Sequence, residues 1–206
     1  MKTITALESQ KNNPNRVNVY LDGEFAFGLA RIAAAWLTVG QKLTEEKIAS
    51  LQKEDARETA YLRAMNLLSY RARSEAEIRQ RLQKHEVPEA VIEETLERLR
   101  AEGYVNDGQF ASAWVANRNE FRPRSKRALA VELKQKGLTE TAIQSALEAA
   151  DDEALAYEAG RRKVRRLAGL EWQDFRRKLG DFLARRGFPY SVIAPTVKRL
   201  WDEQEK

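Results

Sequence analysis

The 206-residue chain contains no cysteine. Disulfides and thiolate metal sites are therefore excluded, which fits a protein kept in a reducing cytosol. There is one histidine, His85, in the sequence Q-K-H-E. A histidine pair for acid–base work is excluded, and an imidazole at an expected helix end is read as structural. No glycine-rich phosphate loop and no metal-ligand spacing occur, so no cofactor, no metal and no catalytic residue are expected. The adjacent acids Glu93-Glu94 and Asp151-Asp152 point about 100° apart on a helix and are read as solvated helix faces. The longest uncharged run, I-A-A-A-W-L-T-V-G at 32–40, is short of the ~18 apolar residues of a membrane span. The opening M-K-T-I-T-A-L-E-S-Q lacks the apolar core of a signal peptide.

What is present is charge and helical periodicity. Charged residues make up 33% of the chain and hydrophobic residues 43%, with a net charge of +5. The excess is placed unevenly. Residues 1–55 carry seven basic and seven acidic side chains, and residues 56–152 carry sixteen of each. Residues 153–206 carry thirteen basic against eight acidic. A field of one sign in the last quarter attracts nucleic acid or an acidic protein face.

The first fifty residues have strand character. Asp22-Gly23 separates V-N-V-Y-L from E-F-A-F, and Asp-Gly readily takes the positive φ angles of a two-residue hairpin turn. Residues 11–15 read as a loop. These features predict a small three-stranded sheet covered by one or two helices between 30 and 53, with Thr44 capping the second.

From residue 56 the period becomes helical, and a repeat emerges. Ile78, Leu82, Val87, Ile92 and Leu96 recur 51 residues later as Leu129, Leu133, Leu138, Ile143 and Leu147. A further 50 residues on they recur as Leu179, Leu183, Phe188, Ile193 and Val197. The turn recurs too, as His85-Glu86-Val87, Lys136-Gly137-Leu138 and Arg186-Gly187-Phe188. Glu86 breaks the glycine pattern. Arg-x-Arg-Ser precedes this core at 71–74 and 122–125, and Trp172–Phe175 replaces it in the third copy. Ser74 and Glu77 form a capping-box pattern, of which Ser125 keeps half.

The expected fold is mainly α: three tandem three-helix repeats in an elongated array, preceded by a small N-terminal β-hairpin or sheet plus helix unit. The predicted boundaries are 1–55, 56–106, 107–151 and 152–206. The predicted helices are 56–69, 75–85 and 89–101; 107–119, 126–136 and 140–149; and 152–168, 172–186 and 190–203. Single units of this size bury little surface, and stacking extends their cores.

Basic side chains carry the best site signal. Arg161, Arg162, Arg165 and Arg166 form two i, i+4 rows, while Tyr157, Gly160, Val164 and Leu167 take the core face. Arg185 and Arg186 add to this quarter. The second copy contributes Arg122, Arg124, Lys126 and Arg127, and the first contributes Arg71 and Arg73. Guanidinium forks match phosphates and carboxylates. Aromatic residues at helical spacing are assigned to the core, with Phe121 the exception. An extended, basic, non-catalytic repeat array suits an acidic or phosphate-bearing polymer, with a direct nucleic-acid binder and a protein scaffold as the classes to be separated.

The ordered combination R-A-R-S-E-A-E-I-R-Q-R-L, V-P-E-A-V-I-E-E-T-L-E-R-L, G-Y-V-N-D-G-Q-F-A-S-A-W-V, R-P-R-S and E-L-K-Q-K-G-L closely resembles RecX proteins, regulators of the bacterial recombinase RecA. The resemblance is strong over 60–150 and looser in the third copy. It implies a non-enzymatic, cytoplasmic protein that binds the RecA–single-stranded-DNA filament. It further implies inhibition of the filament's ATPase, strand-exchange and co-protease activities in recombination and the SOS response. The expected partners are the filament and single-stranded DNA itself, with no membrane, and the chain is expected to be a monomer.

Overall fold

The computed structural model describes residues 1–204. It divides into two compact units, one of residues 1–72 and 78–104 and the other of residues 73–77 and the chain from 105 onward.

In the first unit β1 (Lys2–Gln10), β2 (Asn13–Leu21) and β3 (Glu24–Ala30) form an antiparallel meander. A fourth strand, β4 (Lys42–Leu43), adds to the far edge of β1, giving the order β3-β2-β1-β4. The three strands expected are thus four, because two residues are too short to register as a periodic run. The hairpin turn stands as read: Asp22 and Gly23 have φ of 52° and 91°. The loop expected at 11–15 shrinks to two residues, since β2 already begins at Asn13. Pro14 is tolerated because β3 pairs only from Arg16 onward and the β1 register slips just there. Ile4, Val17, Val19, Leu21, Phe27 and Leu29 form the inner face of the sheet.

The short α1 (Arg31–Ala34) is followed by α2, a single helix over Glu45–Tyr70. Thr44 caps it as expected, accepting from the Lys47 N–H at 3.2 Å. Sequence periodicity suggests a break near 55, but none exists. The N-terminal half of α2 packs Leu51 on the sheet, and its second half is the first helix of the first repeat, with Ala60 and Ala64 buried. Asp55, at the changeover, is buried. It accepts from Arg16 at 2.7 Å and from the Ala30 N–H at 2.7 Å. Arg16 also donates to Thr59 at 2.9 Å, so one ion pair stitches helix to sheet.

The repeat helices follow: α3 (Glu75–Gln83), α4 (Glu89–Ala101), α5 (Asp107–Phe121), α6 (Lys126–Gln135), α7 (Glu140–Leu147), α8 (Asp152–Val164), α9 (Trp172–Ala184) and α10 (Tyr190–Asp202). In each repeat the third helix packs along the first, as α4 on α2, α7 on α5 and α10 on α8. Fourteen of the fifteen repeat-defining apolar residues are buried; Val87 is half-buried. Leu82, Leu133 and Leu183 are all at 0% exposure.

The turn between second and third helices is the same object three times. The Val87, Leu138 and Phe188 N–H groups each donate to the carbonyl of Leu82, Leu133 and Leu183 at 3.3 Å. The preceding residues, Glu86, Gly137 and Gly187, have φ of 56°, 79° and 90° and donate three residues back. This is the left-handed helix stop with a 6→1 and a 5→2 bond.

Inside the second unit the second and third repeats interlock. Ser125 is buried, caps α6 through the Ala128 N–H at 3.2 Å, and donates its own N–H to the Arg186 carbonyl at 3.1 Å. Asp152 accepts the free N–H of Lys126 at 2.7 Å. The segment 73–77 meets the second repeat by the same scheme. The Ser74 hydroxyl donates to the Lys136 carbonyl at 2.6 Å, and the Glu75 N–H donates to Asp107 at 2.9 Å. Ser74 accepts from the Glu77 N–H, while the Glu77 carboxylate takes the Lys136 ammonium at 2.7 Å. In the third repeat α9 begins four residues early, and Phe175, fully buried, fills the position of the two serines.

Candidate anionic-partner interface

The arginines of the second and third repeats converge because three local rules act together. The α5 helix ends at Phe121, where Arg122 leaves helical geometry. Pro123 follows and cannot continue the helix, and Ser125 restarts it as a cap. The intervening turn therefore projects Arg122 and Arg124 from the second repeat. The helix stop after α9 projects Arg185 and Arg186 from the third, and α8 supplies Arg162.

Arg122, Arg124, Arg185 and Arg186 line one recess of about 240 Å³ with Phe182 as its aromatic wall. The Arg186 guanidinium lies 4.5 Å from the Phe182 ring centre, and the Lys163 ammonium lies 5.7 Å from it. Two of the cations are held by main-chain carbonyls and not by acids. Arg186 donates to the Pro123 carbonyl at 2.9 Å, and Arg162 to the Glu120 carbonyl at 2.5 Å. Such contacts fix a guanidinium in place without cancelling its charge. Burial pushes Arg186 below the usual arginine range, and the charges of Arg124, Arg122 and Arg162 push it the same way. Like charges held this close raise the folded state's energy unless a counter-charge arrives.

Glu132 is the acid beside the recess. It accepts from the Trp114 indole N–H at 2.8 Å and from Arg118 at 2.8 Å, and pairs with Arg124 at 3.0 Å. Burial raises the Glu132 carboxyl. The hydrogen bonds from Arg118 and Trp114 and the charges of Arg118 and Arg124 outweigh that and hold it below the usual carboxylate range. Glu132 thus orients Arg124 while leaving Arg122, Arg162, Arg185 and Arg186 uncompensated by it.

Of the residues expected from sequence, five meet here. The others lie apart from the recess. Arg161 is exposed and pairs with Glu158 at 2.9 Å. Arg165 and Arg166 are exposed beyond the end of α8. Lys126 and Arg127 occupy the first turn of α6, half-buried and exposed respectively. Arg71 is exposed and donates to the Ala72 carbonyl at 2.8 Å, and Arg73 is half-buried. Tyr157 and Val164 pack on the α8 core with buried Gly160 and Leu167, as their spacing indicates. Phe110 and Phe175 are core residues, whereas Phe121 is 63% exposed.

Sequence reasoning missed Phe182 and Glu132. Phe182 follows Asp181 at no recurring apolar position, and a lone glutamate on α6 carries no spacing signal. It also misread Asp151-Asp152 as solvated. Asp151 caps α8 through the Glu153 N–H at 2.9 Å, and Asp152 caps α6 from the next repeat. Glu93 and Glu94 pair with Arg79 and Arg57. His85 is exposed. Among the described residues no group of three His, Asp or Glu side chains is arranged to hold a metal ion, and no helix is long and apolar enough to cross a membrane.

Four family models match the chain in order. They are the regulatory protein RecX N-terminal domain over residues 2–44 and the first, second and third RecX three-helix domains over 60–99, 106–147 and 151–195. A regulatory protein RecX of Bacillus pumilus is 32% identical over 211 residues, spanning 100% of this chain and 80% of that protein. One of Bacillus velezensis is 33% identical over 210 residues, with the same coverage. A crystal structure of a regulatory protein RecX superimposes with a TM-score of 0.65 at 29% identity, covering 93% of this chain and 97% of that one.

Proposed function

The chain belongs to the RecX family of regulatory proteins, and on that premise we propose that it binds the RecA–single-stranded-DNA filament and restrains its ATPase, strand-exchange and co-protease activities. It acts in the cytoplasm as a monomeric, non-enzymatic modulator of recombination and the SOS response. The three repeats, taken as 56–106, 107–151 and 152–206, are the binding units, and 1–55 serves as their N-terminal support.

The observation that carries this is the arginine recess between the second and third repeats. A small molecule would need a closed pocket with convergent polar groups. An open cluster of guanidiniums tethered to carbonyls suits the repeating negative charge of a polymer. Arg165 and Arg166 extend the same sign just past the end of α8, and Arg71, Arg73, Lys126 and Arg127 supply further cations on the earlier repeats.

The same recess supports a second reading, a nucleic-acid-binding protein independent of the recombinase. The two differ in what they require. A direct binder holds bare single strands tightly and loses them steeply with salt. A filament regulator prefers the nucleoprotein. The test is recombinase ATPase on single-stranded DNA titrated with this protein, beside binding to bare DNA at the same salt. Inhibition at concentrations well below those that saturate bare DNA is expected. Tight binding to bare DNA with no effect on the ATPase selects the second reading. Charge reversal of Arg161, Arg162, Arg165 and Arg166 together should weaken inhibition at least tenfold. A folded variant that inhibits as well as the parent removes α8 from the interface.

A further inference from the structure

The outer face between the second and third helices of each repeat can be compared position by position. In the first repeat it bears Arg79, Gln83, Glu89, Glu93 and Glu97. Arg79 pairs with Glu89 and, at 2.5 Å, with Glu93, and Gln83 donates to Glu89 at 3.2 Å. The equivalent residues of the second repeat are Ala130, Lys134, Glu140, Gln144 and Glu148, and those of the third are Gly180, Ala184, Tyr190, Ala194 and Lys198. A face closed by ion pairs in the first copy is stripped of every acid in the third at these five positions.

The result is a groove of about 840 Å³ between α9 and α10. Trp172 and Tyr190 stand among its lining residues, Tyr190 at 70% exposure, and the aliphatic part comes from Ala184, Ile193 and Val197. Gly180 lies inside α9, where glycine is unfavourable. Lack of space does not require it: a β-carbon there would meet the Ile193 Cγ2 at an ordinary 3.8 Å. The glycine lowers the groove floor. The lining charges are three cations, Arg176, Arg177 and Lys198, against one acid, Asp181. Arg177 pairs with Asp174 at 2.8 Å and Lys198 with Asp202 at 2.6 Å, each on its own helix, and the Lys198 ammonium also lies 5.8 Å from the Trp172 ring centre on α9. Exposed pairs of that kind exchange readily for an incoming carboxylate.

We propose that this groove docks a segment of the recombinase protein, a bulky apolar side chain seated over Gly180 between Trp172 and Tyr190 and flanked by carboxylates that meet Arg176 and Lys198. This rests on the family-level function above and adds that the third repeat grips protein here, while the arginine recess serves the charged polymer. A nucleic-acid strand is the poorer occupant, because an aliphatic floor satisfies neither phosphates nor base edges.

The first repeat supplies the test. Gly180→Arg, Tyr190→Glu and Ala194→Glu together install the Arg79–Glu89–Glu93 arrangement in the third repeat. Circular dichroism and the urea midpoint should be preserved. Binding to the recombinase filament should weaken at least tenfold, and binding to bare single strands at the same salt should not change. Ala194→Glu alone, at a helix surface, provides the same readout should the triple variant not fold. A photoreactive phenylalanine at position 190, irradiated on the filament, should attach to a recombinase peptide rich in acids. Attachment to nucleotide, or parental filament binding by a folded groove variant, overturns the proposal. If the unaltered protein does not bind the filament at all, the family-level reading falls and the groove's occupant falls with it.

Discussion

A β-carbon built on Gly137 would lie 2.2 Å from the Ala76 methyl. The equivalent atom on Gly187 would lie 2.8 Å from the Ala128 methyl and 2.7 Å from the Ser125 hydroxyl. Both glycines also have positive φ. Gly137→Ala and Gly187→Ala therefore combine left-handed strain with overpacking, and each should cost about 1–3 kcal/mol, measured as a lowered urea midpoint.

Glu86 occupies the same turn position in the first repeat with φ of 56°. It is exposed and lines an open cleft with Asn66 and Pro88. Its exposure leaves the positive φ as the cost that a substitution there would relieve. Glu86→Gly should raise stability by roughly 0.5–1 kcal/mol. A fall in the urea midpoint would show that the Glu86 side chain has a structural partner.

The interlock between repeats runs through aspartates as well as glycines. Asp152 satisfies the first free N–H of α6 from the start of α8. Asp152→Ala should cost about 1 kcal/mol, the usual value of a lost cap, and Asp152→Asn should recover most of it, since an amide oxygen still accepts. Equal loss in both variants would mean that the charge, not the hydrogen bond, is what counts.

These junctions explain what the sequence could and could not show. The apolar positions were legible because each repeat spaces them alike and buries them alike. The glycine at the turn was legible as a helix stop, but not its close fit to a methyl group 61 residues away. Asp152 looked like half of a solvated pair because a cap across a junction leaves no local pattern. The continuity of α2 was hidden for a related reason. Its two halves pack on different partners, a sheet and a helix pair, so its apolar residues change face near Asp55 and mimic a boundary. For the recess, the arginines were visible as a charge excess. That only five of them converge depends on where Pro123 and Gly187 end their helices. The acid-poor groove on the third repeat emerges only when the three copies are laid side by side.

Stability should fall in acid partly through Glu132. Its folded value is depressed by the Arg118 and Trp114 hydrogen bonds against the opposing effect of burial. A depressed carboxyl contributes fully above its unfolded value, about 4.3, and loses that contribution as pH falls through the folded value. Glu132→Gln should therefore be less stable than the parent at pH 7 and lose less on going to pH 3. Parallel acid limbs would show that Glu132 is not linked to folding.

Asp55 and Arg16 provide the sharpest test of the first unit. The Asp55 carboxylate accepts from Arg16 and from the Ala30 N–H, and its side chain is 10% exposed while that of Arg16 is 25% exposed. Asp55→Ala leaves a half-buried guanidinium and a β3 N–H without their acceptor. Removing one member of a buried pair costs about 3–5 kcal/mol, and the residual exposure of Arg16 reduces that to about 2–3 kcal/mol here. Asp55→Asn keeps an acceptor for Ala30 and should lose less. Because the pair joins the sheet to α2 midway along its length, the loss should appear first as faster amide exchange in β3 and at residues 45–55, while residues 60–70 stay protected by α4. Uniform acceleration along all of α2 would show instead that the sheet and the first repeat unfold as one.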